Sequence, residues 1–151
     1  MFTLNCKGTL ISLEHPVVMG IINTTPDSFY GGSRAATLSA ALEKANTMIQ
    51  EGAFILDIGG QSTRPGSVQI GANEEMDRVV PVIEAVKKAF PSILVSVDTY
   101  HPTVAMAAVN AGADIINDIS GGRFFYNMLS AVASLSVPYI CMHSRGTIET
   151  M

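Results

Sequence analysis

The chain has 151 residues, 48% of them hydrophobic and 15% charged, with a formal net charge of -4. That supplies one globular domain with a real core and excludes a disordered tail. The acidic balance and the lack of a Lys/Arg cluster argue against a sequence-independent grip on nucleic acid, which depends on many phosphate contacts.

The opening stretch MFTLNCKGTLISLEHP lacks the basic start and continuous apolar run of a signal peptide, and it reads as a short hairpin or an extended lead-in. No later stretch is apolar for the ~18 or more residues that a membrane helix requires. A cytoplasmic protein with no membrane partner is therefore the expectation. Cys6 and Cys141 lie far apart, without CxxC or metal-ligand spacing, and read as two reduced thiols.

From Val17 onward, short runs rich in Val and Ile alternate with longer stretches of helical period. The runs are VVMGII, FILDI, LVSVD, DIIND and PYICMH, each suited to a strand buried on both faces of a parallel sheet. After the first run, TLSAALEKANTMIQEG places Leu38, Leu42, Ala45 and Ile49 on one helix face and stops at Gly52. ANEEMDRVVPVIEAVKKAF follows the second run, with acids in its first turn and lysines near its end, as the helix dipole favours. Pro81 inside that stretch should kink the helix or mark its true start. A third helix should follow His101-Pro102 and stop near Gly112, and a fourth should run from about Tyr126 to Leu135. The eight methionines read as core filling, with Met19 and Met142, near strand ends, set apart from the rest.

Strand followed by helix, repeated, implies an α/β fold with a parallel sheet and right-handed crossovers. In such sheets a ligand sits beyond the carboxyl ends of the strands. Residues able to do chemistry should then fall just after the apolar runs, and they do. Asn23 follows the first run, and Gly59, Gly60, Gln61, Ser62, Thr63 and Arg64 follow the second. Asp98 and Thr99 close the third, Asn117 and Asp118 the fourth, and His143 and Arg145 follow the fifth.

NTTPDSFYGG, Asn23 to Gly32, carries more polar and aromatic chemistry than a tight turn needs, so it is expected to form a mobile loop at the mouth of an active site. IGGQSTRPG joins flexible glycines to hydroxyls and a guanidinium, a set that suits an anionic or planar ligand or a solvated loop. Asp98 ends a fully apolar strand, where a carboxylate either ties a loop or stays partly desolvated. Asn117 occupies the matching position one strand later, and an aspartate beside an asparagine could read the donors and acceptors of a heterocycle edge. Asn23 could offer a neutral oxygen to magnesium, or serve as a turn residue. His143 is also open, a lone His at a strand end being more often a hydrogen-bonded wall than a catalyst. No Walker loop, dinucleotide fingerprint or Ser-His-Asp order is present.

NTTPDSF, DIGGQSTRPG, SVDT and INDISGG, in this order and spacing, resemble the dihydropteroate synthase family of folate biosynthesis across essentially the whole chain. The resemblance implies an eight-stranded parallel βα barrel of TIM type. It also implies a transferase that joins hydroxymethyl-dihydropterin diphosphate to para-aminobenzoate, releases diphosphate and is a target of sulfonamides. On this resemblance Asp98 and Asn117 would bind the pterin, with Met142 against its ring. Asn23 would hold Mg2+ borne by the diphosphate. Thr63 and Arg64 would bind the diphosphate from a second mobile loop, and Thr25, Pro26, Asp27, Ser28 and Phe29 would form the first. Phe29 and Pro65 would shape the aminobenzoate pocket, and Asp27 would join Asp98, Asn117, Thr63 and Arg64 in catalysis.

Two departures stand out. Tyr30-Gly31-Gly32-Ser33 occupies the place where the family's loop usually has Ser-Asp-Gly-Gly, and Gln61 stands for a common glutamate. A barrel of this type takes ~250 residues, so the 151 residues are expected to be the N-terminal part of a single domain, with about the first five strands present and the C-terminal part missing. The piece alone is then expected to be inactive, and the complete protein to form a homodimer. A truncated chain, a partial record of a longer one, and a half barrel pairing with another copy are the three explanations. Two other functions compete: a pterin-binding methyltransferase barrel that passes a methyl group from a reduced folate to a corrinoid, and a non-catalytic pterin-binding module.

Overall fold

Lys7 and Gly8 take left-handed backbone angles, φ 52 and 89, which is what a two-residue turn between right-twisted strands demands. They join β1 (Phe2–Cys6) to β2 (Thr9–Leu13), antiparallel with Cys6 opposite Thr9, and the Gly8 N–H donates to Asn5 Oδ1 at 2.8 Å. The hairpin alternative for the N-terminus is thus the one formed. The computed structural model describes residues 2–25, 34–62, 69–143 and 145–146. Of the residues singled out in the sequence, Pro26, Asp27, Ser28, Phe29, Tyr30, Gly31, Gly32, Ser33, Thr63, Arg64 and Pro65 lie outside the described residues.

Each apolar run forms a strand: β3 (Val18–Asn23), β4 (Ala53–Gly59), β5 (Leu94–Asp98), β6 (Ile115–Asp118) and β7 (Tyr139–Cys141). They pair in parallel in strict chain order, β3 to β7, with helices α1 (Arg34–Gln50), α2 (Ala72–Ala89), α3 (Pro102–Asn110) and α4 (Met128–Ala133) between them. This sequential order, with one helix between each successive pair of strands, is part of a parallel βα barrel, as expected from the alternation.

Alternation of side chains sorts the strand residues onto two faces. Ile22, Leu56, Ile58, Val95, Val97 and Ile116 are buried against the helices in the main core. Ile55, Leu94 and Ile115, on the opposite face, form a second cluster with Cys6, closed by Leu4 and Ile11 of the hairpin. The hairpin therefore plugs the end of the sheet where the strands begin and leaves the carboxyl ends for chemistry. Met19 belongs to this plug cluster, so its separation from the core methionines is corrected: it sits at the start of β3, remote from the strand ends that carry the polar residues.

Helix α2 begins at Ala72 and continues through Pro81, so Pro81 does not mark its start. The carbonyl that Pro81 leaves without an N–H partner is a single local loss inside 18 residues anchored by buried Val79, Val82, Ile83 and Val86. Edge strand β3 shows Val18 62% and Ile21 55% exposed, an apolar strand edge of the kind that native folds cover.

Candidate active site

The last residues of β3, β4 and β5 and the penultimate residue of β6 line up in one row. Asn23 is paired with Gly59, Gly59 with Asp98, and Asp98 with Asn117. Backbone bonds fix the turns leaving this row: Thr24 N–H donates to Gly59 O at 2.8 Å, and Thr99 N–H to Asn117 O at 3.0 Å. The Thr24 hydroxyl donates to the same Gly59 carbonyl at 3.1 Å.

Glycine at position 59 opens the middle of the row. A methyl group placed there would lie 3.5 Å from Asp98 Oδ2 and 3.6 Å from Asn23 Oδ1, so the two side chains face a common space above the glycine. The sequence expectation that Asp98 and Asn117 stand together is met, and Asn23 joins them. Thr25 follows half-buried, and Met142 lies half-buried one residue beyond β7. His143 is exposed.

Burial pushes the Asp98 carboxyl from 3.8 up to about 7, and the nearby carboxylates of Asp57 and Asp118 push the same way. Asp98 is therefore a carboxyl poised near neutrality at the rim. Asp118, by contrast, ties a loop: it accepts from Ser120 N–H at 2.7 Å, Gly122 N–H at 3.0 Å and the Tyr139 hydroxyl at 2.6 Å. Of the two roles open to a carboxylate ending an apolar strand, Asp118 takes loop-tying and Asp98 takes exposure to the site.

Beneath the row lies a carboxylate that the sequence reading did not single out. Asp57, in the middle of β4 and only 3% exposed, accepts a hydrogen bond from Asn117 Nδ2 at 3.0 Å. Burial raises its pKa, opposed by the Ser96 hydroxyl and the Asn117 amide. The available signal was the lone carboxylate inside the apolar run FILDI, the same signal that marked Asp98.

A second group supports the stems of this region from the helix side. Glu75, 1% exposed on α2, lies under Gly60, and burial raises it to about 7, with a Thr99 hydrogen bond and Arg78 lowering it and Asp98 raising it. Its Oε2 faces His101 Nε2 at 3.8 Å, too long for a hydrogen bond. Burial also lowers the His101 pKa, against a bond to the Ile70 carbonyl. Gln61 donates through Nε2 to the Tyr100 hydroxyl at 2.6 Å, and Tyr100 packs edge-on to Phe124 with ring centroids 5.2 Å apart. Arg78 donates to the Gly60 carbonyl at 2.8 Å.

No group of three or more His, Cys, Asp or Glu side chains able to hold a metal ion occurs among the described residues. Asn23 is exposed and offers one neutral oxygen beside Asp98, a donor set that suits a hard cation keeping most of its waters and sharing its remaining ligands with a phosphate. No described helix is long and apolar enough to cross a membrane.

Residues 19–151 match a protein family described as pterin binding enzyme. The mitochondrial folate synthesis bifunctional protein of Pisum sativum is 49% identical over 148 residues, 96% of this chain and 28% of the pea protein. The dihydropteroate synthase of Synechocystis sp. is 48% identical over 134 residues, 89% of this chain and 46% of the cyanobacterial enzyme. Among solved structures, the dihydropteroate synthase of Xanthomonas albilineans with 4-aminobenzoic acid superposes with a TM-score of 0.87 at 46% identity, covering 95% of this chain and 52% of that one. The chain spans about half, or less, of the length of these relatives. The strand-end row built on Gly59, Asp98 and Asn117 and the agreement over residues 19–151 lead to one assignment: the chain belongs to the pterin binding enzyme family.

Proposed function

We propose that the chain carries the pterin-reading part of a dihydropteroate synthase, which condenses hydroxymethyl-dihydropterin diphosphate with para-aminobenzoate to give dihydropteroate and diphosphate. The observation that carries this reading is the pairing of Asp98 with Asn117 across adjacent strand ends, with Asp98 raised to about 7. A carboxyl near neutrality can accept from, or share a proton with, ring and amino N–H groups, and the neighbouring amide supplies the complementary donor and acceptor. The relatives named as dihydropteroate synthases support the choice of reaction.

In the reaction the C–O bond to diphosphate breaks and a C–N bond to the aromatic amine forms, with loss of one amine proton. Asp98 and Asn117 hold the heterocycle while charge spreads into it, and the reaction requires that water be kept from the carbon that the amine must reach. Met142 packs against the ring. Thr25, Pro26, Asp27, Ser28 and Phe29, with Thr63, Arg64 and Pro65, are assigned the diphosphate and aminobenzoate contacts. Asn23 would hold magnesium arriving with the diphosphate, which when bound stabilises the leaving group.

The proposal extends to a homodimer of the complete protein and to sulfonamides as competitors of aminobenzoate; a relative from Yersinia pestis was solved in complex with a sulfonamide drug. It also places the protein in the cytoplasm, with the mitochondrion as the alternative offered by the plant relatives.

Two measurements test the reading: a fluorescence titration of the chain with 6-hydroxymethylpterin, and diphosphate release with the pterin diphosphate, aminobenzoate and magnesium. Saturable pterin binding without turnover by these 151 residues, and turnover by a chain of the relatives' length, is the expected pair. Absence of pterin binding overturns the reading. Binding by a chain of that length with methyl transfer and no diphosphate release favours the methyltransferase alternative.

A further inference from the structure

The Asn117 amide has two chemically different ends of nearly the same shape, and its own torsion does not choose between them. Which end faces a ligand is set by what the other end meets. In this chain Nδ2 meets Asp57 Oδ2 at 3.0 Å, and a carboxylate oxygen accepts but does not donate. Asp57 cannot swing away to release the amide: it is 3% exposed and paired along the sheet between Ile21 and Ser96. Asn117 is half-buried at the rim, so one N–H and the carbonyl oxygen remain, in a fixed order, for a bound molecule.

We propose that Asp57 is a positioning residue: it fixes the direction of the Asn117 amide and so sets the order of donor and acceptor that a heterocycle must present. This rests on the pterin reading and adds to it the origin of discrimination between ring edges. An amide held one way favours the edge of pterin formed by its 2-amino group and the acceptor N1. It disfavours the same edge of lumazine, where a 2-oxo group beside N1–H reverses the order of donor and acceptor.

The test uses the full chain and its Asp57→Asn variant, which keeps volume and hydrogen bonding but offers either end to Asn117. Pterin and lumazine are titrated by fluorescence, and hydrogen exchange of the Asn117 side-chain amide is followed by NMR in the ligand-free chain. The wild type should bind pterin at least about tenfold more tightly than lumazine, since a reversed edge leaves polar groups unpaired. In Asp57→Asn the preference should fall to within about threefold, and the Asn117 amide should exchange about tenfold faster, once the hydrogen bond no longer has one direction. A preference unchanged in the variant overturns the proposal. So does a wild-type Asn117 amide that exchanges as fast as the exposed Asn127, an observation that needs no variant. Failure of both pteridines to bind the wild type overturns the pterin reading instead; slow wild-type exchange of the amide then still supports its fixation by Asp57.

Discussion

Asp98→Asn should stabilise the fold at neutral pH while it weakens ligand binding. Folding moves the Asp98 carboxyl from 3.8 to about 7, chiefly through burial. As pH rises from about 4 to about 7, the unfolded chain releases this proton while the folded chain keeps it, so the folded state binds more protons and its stability falls through that window. Above about 7 both states are ionised and the loss is complete. The interval corresponds to on the order of 4 kcal/mol, an upper figure because solvent screens part of the shift at this half-buried rim position. Asparagine cannot ionise and avoids this loss. The variant should match the wild type near pH 4 and exceed it by ~2–4 kcal/mol at pH 8. Urea denaturation followed by far-UV circular dichroism at pH 4.5, 6, 7 and 8 measures the difference. A stability difference that does not change with pH, or a variant less stable than the wild type at pH 8, would refute the reasoning.

In a pterin titration without diphosphate, Asp98→Asn should lose far more affinity than Asn23→Ala, because only Asp98 is assigned to the ring; equal losses would count against both assignments. Gly59→Ala and Gly60→Ala should behave as opposites. At Gly59 the new methyl meets Asp98 and Asn23 at ordinary contact distances, so unfolding by urea should be little changed while pterin affinity drops. At Gly60 it would lie 2.9 Å from both Glu75 Cγ and Val79 Cγ1, and the overpacking should cost about 1–3 kcal/mol in the same unfolding experiment. Tyr139→Phe removes the hydroxyl that donates to buried Asp118 and should cost about 1–3 kcal/mol by urea denaturation.

The strands were legible in the sequence because each contains a continuous apolar run, VVMGII, FILDI, LVSVD, DIIND and PYICMH; burial on both faces accounts for the run in the central strands β5 and β6 and much of β4, whereas edge strands β3 and β7 carry it with one side exposed. Asp98 and Asn117 were legible because they interrupt that pattern at its end. Asp57 and Ser96 interrupt it in the middle, where a strand offers no reason to expect a ligand, and only the pairing of β4 with β5 and of β5 with β6 shows what they support. Glu74 and Glu75 look alike as acids in a first helical turn. The structure separates them: Glu74 pairs with Arg78 on the surface, while Glu75 falls on the stripe of Val79, Val82 and Val86 and is buried. That spacing of three and four residues was present in the sequence, but the favourable helix-dipole position gave both acids a sufficient reason. The role of His101 was not legible, because its partners lie on α2 and at Ile70, distant in sequence.

The face that carries the site changes character along each strand, and this separates folding from binding. On β4 it runs from Ile55 through Asp57 to Gly59, and on β5 from Leu94 through Ser96 to Asp98. The first position of each belongs to the apolar cluster under the hairpin, the second is a buried polar group, and the third opens on the site. Substitutions at Ile55 or Leu94 should act through lost packing, and those at Gly59 or Asp98 through lost recognition. The middle position couples the two, since a buried polar group stabilises only when its partners are in place. Asp57 meets that condition at Oδ2 through Asn117 while its buried Oδ1 has no hydrogen-bond partner among the described residues, so part of the cost of burying its carboxylate is offset by the same 3.0 Å hydrogen bond that sets the direction of the rim amide.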